Sequence, residues 1–185
     1  MRLWLGIGKA LLSAIFFSLC ALVWARVEGA DSPWLGLFCM FYVMGTAKSA
    51  EPQILFRMPD GLREVDPNAI HAGVRNRWGV QSFGAFLRNT PFRYLNRSVY
   101  LTSQQHDFPA VLRKLESAET IHFWAAVLFT PYIVYIAARG LYAYAWLFVL
   151  IQVAFNLYPI LHLRLVRARL TRLVEAKGRN GCADL

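Results

Sequence analysis

Cysteine is scarce in this chain, and so is negative charge. Cys20 and Cys39 fall within apolar runs and Cys182 near the C-terminus, an arrangement that excludes a disulfide framework. There are 11 acidic residues against 20 lysines and arginines, for a formal charge of +9. A His-Glu-x-x-His pair and a cysteine pair at ligand spacing are both missing, so no metal site is expected. Glu119-x-x-His122 is only half of a ligand set that His106 or His162 would have to complete. Internal repeats and low-complexity tracts are absent too, which excludes solenoids and disordered arrays. No nucleic-acid-binding fold is recognisable, so the basic excess points to anionic lipid headgroups and away from DNA.

Apolar surface is what the chain has in quantity. Hydrophobic residues make up 57% of it and the mean hydropathy is +0.37, a composition suited to a small integral membrane protein with basic flanks. Leu3 to Trp24 is interrupted only by Lys9 and two serines. From Ile121 to Ala138 the one residue of the Asp, Glu, Lys, Arg and His set is His122, and Leu141 to Leu161 has none. Each run approaches the ~20 residues that carry a helix across a bilayer core. A fourth, Pro33 to Ala47, is shorter and reads as a marginal span or a re-entrant helix.

Basic residues decide the count. The segment from Arg26 to Ser32 has one basic and two acidic residues, whereas Lys48 to Glu119 has ten basic and seven acidic. The turn between the last two runs has only Arg139, and the tail from Arg164 has six basic and two acidic residues. Four spans put both termini and the large loop on the cytoplasmic side, with the positive charge; three would put the basic loop outside. The N-terminal run also has the look of a cleaved signal peptide, with Val23-Trp-Ala25 as its small-residue site, and that alternative stays open. The expected fold is thus all-α and membrane-integral, with about four transmembrane helices and a large cytoplasmic interfacial loop of short helices. Residues 1–48 form two N-terminal membrane helices, 49–118 the loop, 119–163 a transmembrane hairpin and 164–185 a basic amphipathic tail.

Within the loop, Glu51 to Pro59 followed by Asp60-Gly61 reads as an extended piece ending in a turn, and Asp66-Pro67-Asn68 as a helix start. Ile70, Val74, Trp78, Phe83, Phe86 and Leu87 recur at helical spacing with Arg75, Arg77 and Arg88 among them; Gly79 and Gly84 predict a break into two short helices. Aromatic and basic residues so mixed suit headgroup depth. Such a layer either covers a site and touches an amphiphilic substrate or simply seals the bundle, and Asn89 to Asn96 is a polar turn that can line a pocket. In the tail, Leu163, Val166, Leu170, Leu173 and Val174 make an apolar stripe between Arg164, Arg167, Arg169 and Arg172. For Arg172, Lys177 and Arg179 a lipid-surface role is the expectation.

Polar groups at the mouth of the last helix pair are costly at that depth and mark a candidate site. If Arg139-Gly140 is the hairpin apex, residues whose numbers sum to about 279 lie level. His122 then faces Asn156 and Leu157, and Glu119 faces Ile160 with Arg164 just beyond. Glu119 and His122 are one helical turn apart on one face. Imidazole can take a proton from an attacking hydroxyl while a carboxylate fixes its tautomer. An amide and a guanidinium can stabilise an oxyanion, and Arg164 and Arg167 can instead grip donor phosphates. Glu119 also reads as a charge at the start of a helix, and His122 as an interfacial residue.

At these residues the chain resembles the glycosyl-4,4'-diaponeurosporenoate acyltransferases, small bacterial membrane proteins of carotenoid biosynthesis. The likeness rests on Ala118-Glu-Thr-Ile-His122 before an apolar span, then Asn156, Pro159 and the ending Arg164-x-x-Arg167-x-Arg169-Leu170-Thr171. Asn76-Arg-Trp78 through Asn96-x-x-Val-Tyr100 fits more loosely, and coverage is roughly residues 75–175. The resemblance implies transfer of a fatty acyl chain to a sugar hydroxyl of a glycosylated carotenoid. The acyl donor would be a co-substrate such as acyl-CoA or acyl carrier protein, with no cofactor, in the bacterial cytoplasmic membrane. Glu119, His122, Asn156, Arg164 and Arg167 carry over by position as functional residues. By their chemistry Glu119, His122 and Asn156 are the catalytic candidates, and Arg164, Arg167 and Arg169, with Arg77, Trp78 and Asn96, the substrate-binding ones. The chain departs from the family pattern in its Leu163, Leu165 and Val166 around the arginines and in two well-formed N-terminal spans. A non-enzymatic pigment- or lipid-binding subunit of a larger membrane complex is the alternative.

Overall fold

The computed structural model describes residues 2–50, 57–64, 79–90 and 108–181, and every described element is helical. In chain order these are α1 (Arg2–Glu28), α2 (Pro33–Ala50), α3 (Asp60–Arg63), α4 (Val80–Asn89), α5 (Phe108–Ala138) and α6 (Tyr142–Gln152). A π-helical turn (Val153–Leu157) and α7 (Tyr158–Gly181) follow. Three stretches among them are long and apolar enough to cross a membrane: Trp4–Glu28, Phe108–Ala138 and Tyr142–Val174. The shorter α2, with Lys48 and several polar residues in its last turns, is not one of the three. The described chain groups into two compact units, residues 1–56 with 120–157 and residues 57–119 with 158–185.

The first unit is built from two helical hairpins. Between α1 and α2 the chain reverses at Gly29 (φ 87), and Ser32 accepts the first α2 bond from Gly36 N–H at 3.2 Å. Pro33 starts α2, where a missing N–H costs nothing. Phe17 of α1 packs against Phe38 and Tyr42 of α2, with ring centroids 5.9 and 5.8 Å apart. The second hairpin turns at Gly140 (φ 78). Gly140 N–H reaches Ala137 O at 2.9 Å and Leu141 N–H reaches Ile136 O at 3.2 Å, the paired bonds of a Schellman helix end. Only glycine takes that left-handed position without a Cβ penalty.

Asp31 joins the two turns. It accepts from Tyr135 Oη at 3.1 Å and from Arg139 at 3.3 Å, while Tyr132 Oη donates to Ala30 O at 3.1 Å. Both reversals therefore lie at one end of this unit, and α2 and α6 leave it side by side. With α5 they form a core of Met40, Phe129, Ile136, Ala145 and Phe148. Much of the remaining apolar surface is exposed, including Trp4, Leu12, Phe16 and Leu22 on α1, which is expected of helices whose solvent is lipid.

Gly36 shows how closely α2 and α6 approach, as small residues allow between packed helices. A Cβ built there overlaps the ring of Phe148, which is fully buried, and lies 2.8 Å from Tyr132 Cε1. Gly36→Val is expected to destabilise the protein by about 1–3 kcal/mol, the range for overpacking a filled core. At Gly45 the nearest atoms are 3.3 Å away, in the ring of Phe17. Thermal denaturation of purified protein in detergent should therefore show a clear loss for Gly36→Val and a smaller one for Gly45→Ala.

In the second unit, residues 108–119 of α5 pack against α7. Val111 and Leu115 meet Leu163 and Leu170, flanked by Phe108, Leu112, Ala118 and Val166. The expected boundary at Glu119 is not a helix start, because α5 begins at Phe108 and carries Glu119 well inside it. The reading of Glu119 as an N-terminal charge is thereby corrected. Against α7 lies α4, with Phe83 near Tyr158 (5.4 Å) and His162 (6.2 Å). Gly79 (φ 62) precedes α4 as expected, but Gly84 does not break it. A Cβ on Gly84 would sit 2.7 Å from His162 Cε1, so that glycine serves a close approach between helices. The predicted helix around Ile70 and Val74, the turn from Pro91 to Asn96, and Arg77 and Trp78 lie outside the described residues.

Candidate active site

In the first unit the π turn carries Asn156, which is fully buried. Turns of this kind insert an extra residue into a helix and recur at functional sites, because they redirect a side chain and loosen the backbone ladder. Here the turn presents Asn156 to α5, where its Oδ1 lies 3.4 Å from His122 Nδ1. Its Nδ2 donates to Gln152 Oε1 at 2.6 Å, and Gln152 Nε2 donates to the Ala126 carbonyl at 2.8 Å. Three polar side chains in an apolar hairpin thus satisfy one another in a single chain, which is what lets them stay there. Ala126 is one turn beyond His122 on the same helix, so the chain of bonds leaves α5 and returns to it. The His122 ring is half-buried, and its proton-accepting capacity is the chemical resource of this cluster.

The second unit holds a carboxylate–guanidinium cluster. Glu119 is fully buried. One of its oxygens takes Arg164 Nε and the other Arg167 Nη1, each at 2.5 Å. The two arginines are three residues apart on α7 and so present both forks to one carboxylate. Their remaining N–H groups turn to α3: Arg164 reaches Leu62 O at 2.6 Å and Arg167 reaches Arg63 O at 2.9 Å. Those carbonyls close a four-residue helix and have no partner within it, so two cations there cap the negative end of a helix. Arg63 in turn pairs with Glu116 at 2.5 Å. The cluster ties α3, α5 and α7 into one block.

Of the residues singled out from sequence, His122 and Asn156 come together, and so do Glu119, Arg164 and Arg167. Arg169 is exposed on α7; Arg77, Trp78 and Asn96 lie outside the described residues. Gln152, Arg63 and Glu116 are additions. Gln152 had a signal, an amide four residues before Asn156 in an otherwise apolar stretch. Arg63 and Glu116 had none beyond their charge. The His122 ring meets the Asn156 side chain and the backbone of Phe155, and no group of three or more metal-ligating side chains occurs among the described residues.

A family model described as CrtO, glycosyl-4,4'-diaponeurosporenoate acyltransferase, matches residues 71–176. Comparison with curated proteins and with solved structures yields no match. The matched stretch spans more than half of the chain and includes His122, Gln152 and Asn156 as well as Glu116, Glu119, Arg164 and Arg167, but not α3.

Proposed function

This chain belongs to the glycosyl-4,4'-diaponeurosporenoate acyltransferase family, and we propose that it esterifies a sugar hydroxyl of a glycosylated carotenoid with His122 as general base. It is an acyltransferase; family membership favours that over the pigment-binding subunit. The observation that carries the choice of base is the His122–Asn156 contact, an imidazole held on an apolar hairpin by an amide with its own partner.

The imidazole takes the proton of the acceptor hydroxyl as its oxygen attacks the thioester carbonyl of an acyl-CoA or acyl carrier protein. The tetrahedral intermediate then expels the thiolate, which leaves with the proton, and the ester remains. Of the two amide hydrogens of Asn156, one goes to Gln152; the other is assigned to the developing oxyanion. Glu119 holds Arg164 and Arg167 in place and so orders α3, and exposed Arg169 is the member of that run offered to donor phosphates.

The same proposal includes four spans, with termini and loop on the cytoplasmic face. The distribution of lysine and arginine supports it. So does the first unit, where the two turns joined by Asp31 and Arg139 share one end and α2 must run back from it.

Mass spectrometry of pigment and lipid extracts, from host cells with and without the gene, tests the reaction. The expected result is a carotenoid glycoside heavier by one fatty acyl group, present only with the gene. An unchanged set of extractable esters would overturn the proposal and return attention to a binding subunit.

A further inference from the structure

We propose that Gln152 is a positioning residue that fixes neutral His122 in the Nδ1–H tautomer and leaves Nε2 as the proton-accepting nitrogen. The inference rests on His122 being the base, and it concerns a residue outside the set expected from sequence.

The assignment follows from which ends of the amides can donate. A backbone carbonyl only accepts, so the end of Gln152 lying 2.8 Å from Ala126 O must be its NH2 group. The other end, Oε1, can then only accept, and Asn156 must turn its NH2 group toward it at 2.6 Å. That leaves Asn156 Oδ1 facing the imidazole, and an amide oxygen cannot donate. The hydrogen between Asn156 and His122 therefore belongs to Nδ1. Each link has one direction, and the direction is set by a carbonyl that cannot reverse it. Thr130 Oγ1 donates to the same carbonyl at 2.8 Å, which reinforces its role as acceptor only.

Loss of Gln152 frees the Asn156 amide, while the Phe155 backbone stays a partner of the ring. Without its Oε1, Asn156 can rotate its amide by half a turn and present NH2 to the ring, which then favours the opposite tautomer. A base whose lone pair is on Nδ1 would point it at Asn156 and away from an incoming hydroxyl. Gln152→Met keeps length and apolar bulk but neither accepts nor donates as an amide does. Gln152→Glu keeps an oxygen that accepts from Asn156 whether or not the carboxyl is protonated.

The test is nitrogen NMR on 15N-histidine-labelled full-length protein in lipid nanodiscs, with the His122 signals identified by their loss in His122→Gln. Neutral wild-type protein should show a protonated, pyrrole-type Nδ1 and an unprotonated, pyridine-type Nε2. Gln152→Met should mix or invert that pattern and lower kcat by about tenfold or more, up to the 10²–10⁴-fold that the whole general base contributes, with little change in KM. Gln152→Glu should restore both the pattern and most of the rate. A pyridine-type Nδ1 in wild type overturns the inference without any variant having to fold, and so does a wild-type pattern in folded Gln152→Met. If the pattern shifts as expected while kcat stays the same, the relay stands and the choice of His122 as base falls.

Discussion

His122→Gln is expected to reduce acyl transfer by about 10²- to 10⁴-fold, the usual contribution of a positioned general base, with the protein still inserted and folded. Glutamine fills a similar volume, and its amide can donate to Asn156 Oδ1 as the ring does at 3.4 Å, so the bonds from Asn156 through Gln152 to Ala126 survive. What glutamine lacks is a nitrogen lone pair basic enough to accept the hydroxyl proton. His122→Ala removes the same function and leaves a small void beside a half-buried position, so it should lose activity equally and stability slightly more. The measurement is turnover per folded molecule, with thermal denaturation in detergent establishing that the fold is intact. Turnover close to wild type in either variant would remove His122 from the chemistry.

The hairpin and the contacts across it were the legible part. A glycine after Arg139 between two apolar runs marks a reversal, and counting outward from it brings His122 level with Asn156, where the two meet. Counting places Arg164 just beyond Glu119, but nothing in the sequence pairs Glu119 with both arginines. Three features had no readable signal. The π turn at Val153–Leu157 is an extra residue in a run that is apolar apart from Gln152 and Asn156, too few polar positions for a periodicity to register its insertion. The start of α5 at Phe108 was obscured because Arg113, Lys114 and Glu116 interrupt the Val111, Leu112, Leu115 stripe that packs on α7. Gly84 has the sequence signature of a breaker, yet it lies within α4, and His162 occupies the space a side chain there would need. Local composition shows where a helix can form; it does not show which neighbour claims a given face.

Glu119→Ala is the second substitution expected to have a large effect, and here the effect is on stability. Arg164 and Arg167 keep 26% and 12% of their side-chain surface exposed, and the carboxylate between them has none. Removing it leaves two close, mostly buried guanidiniums without their shared anion. Breaking buried pairs of this kind costs about 3–5 kcal/mol, and the partial exposure of Arg164 favours the lower end. Against a total of roughly 5–15 kcal/mol for a typical domain, that is a large fraction, enough to lower the denaturation temperature clearly. The loss should be far smaller when the charges go together, as in Glu119→Leu with Arg164→Leu and Arg167→Met, because apolar replacement of a whole buried ion cluster is often neutral. Recovery of folded protein from membranes and its denaturation temperature in detergent measure both cases. A Glu119→Ala protein as stable as wild type would mean that the arginines find other anions and that the carboxylate is not what orders α3. Glu119→Gln separates the chemical question from the structural one, since it keeps an acceptor for one guanidinium while removing the charge. If its folded fraction turns over like wild type, Glu119 acts on the fold through Arg164 and Arg167; a folded but inactive Glu119→Gln would make the carboxylate part of the reaction itself.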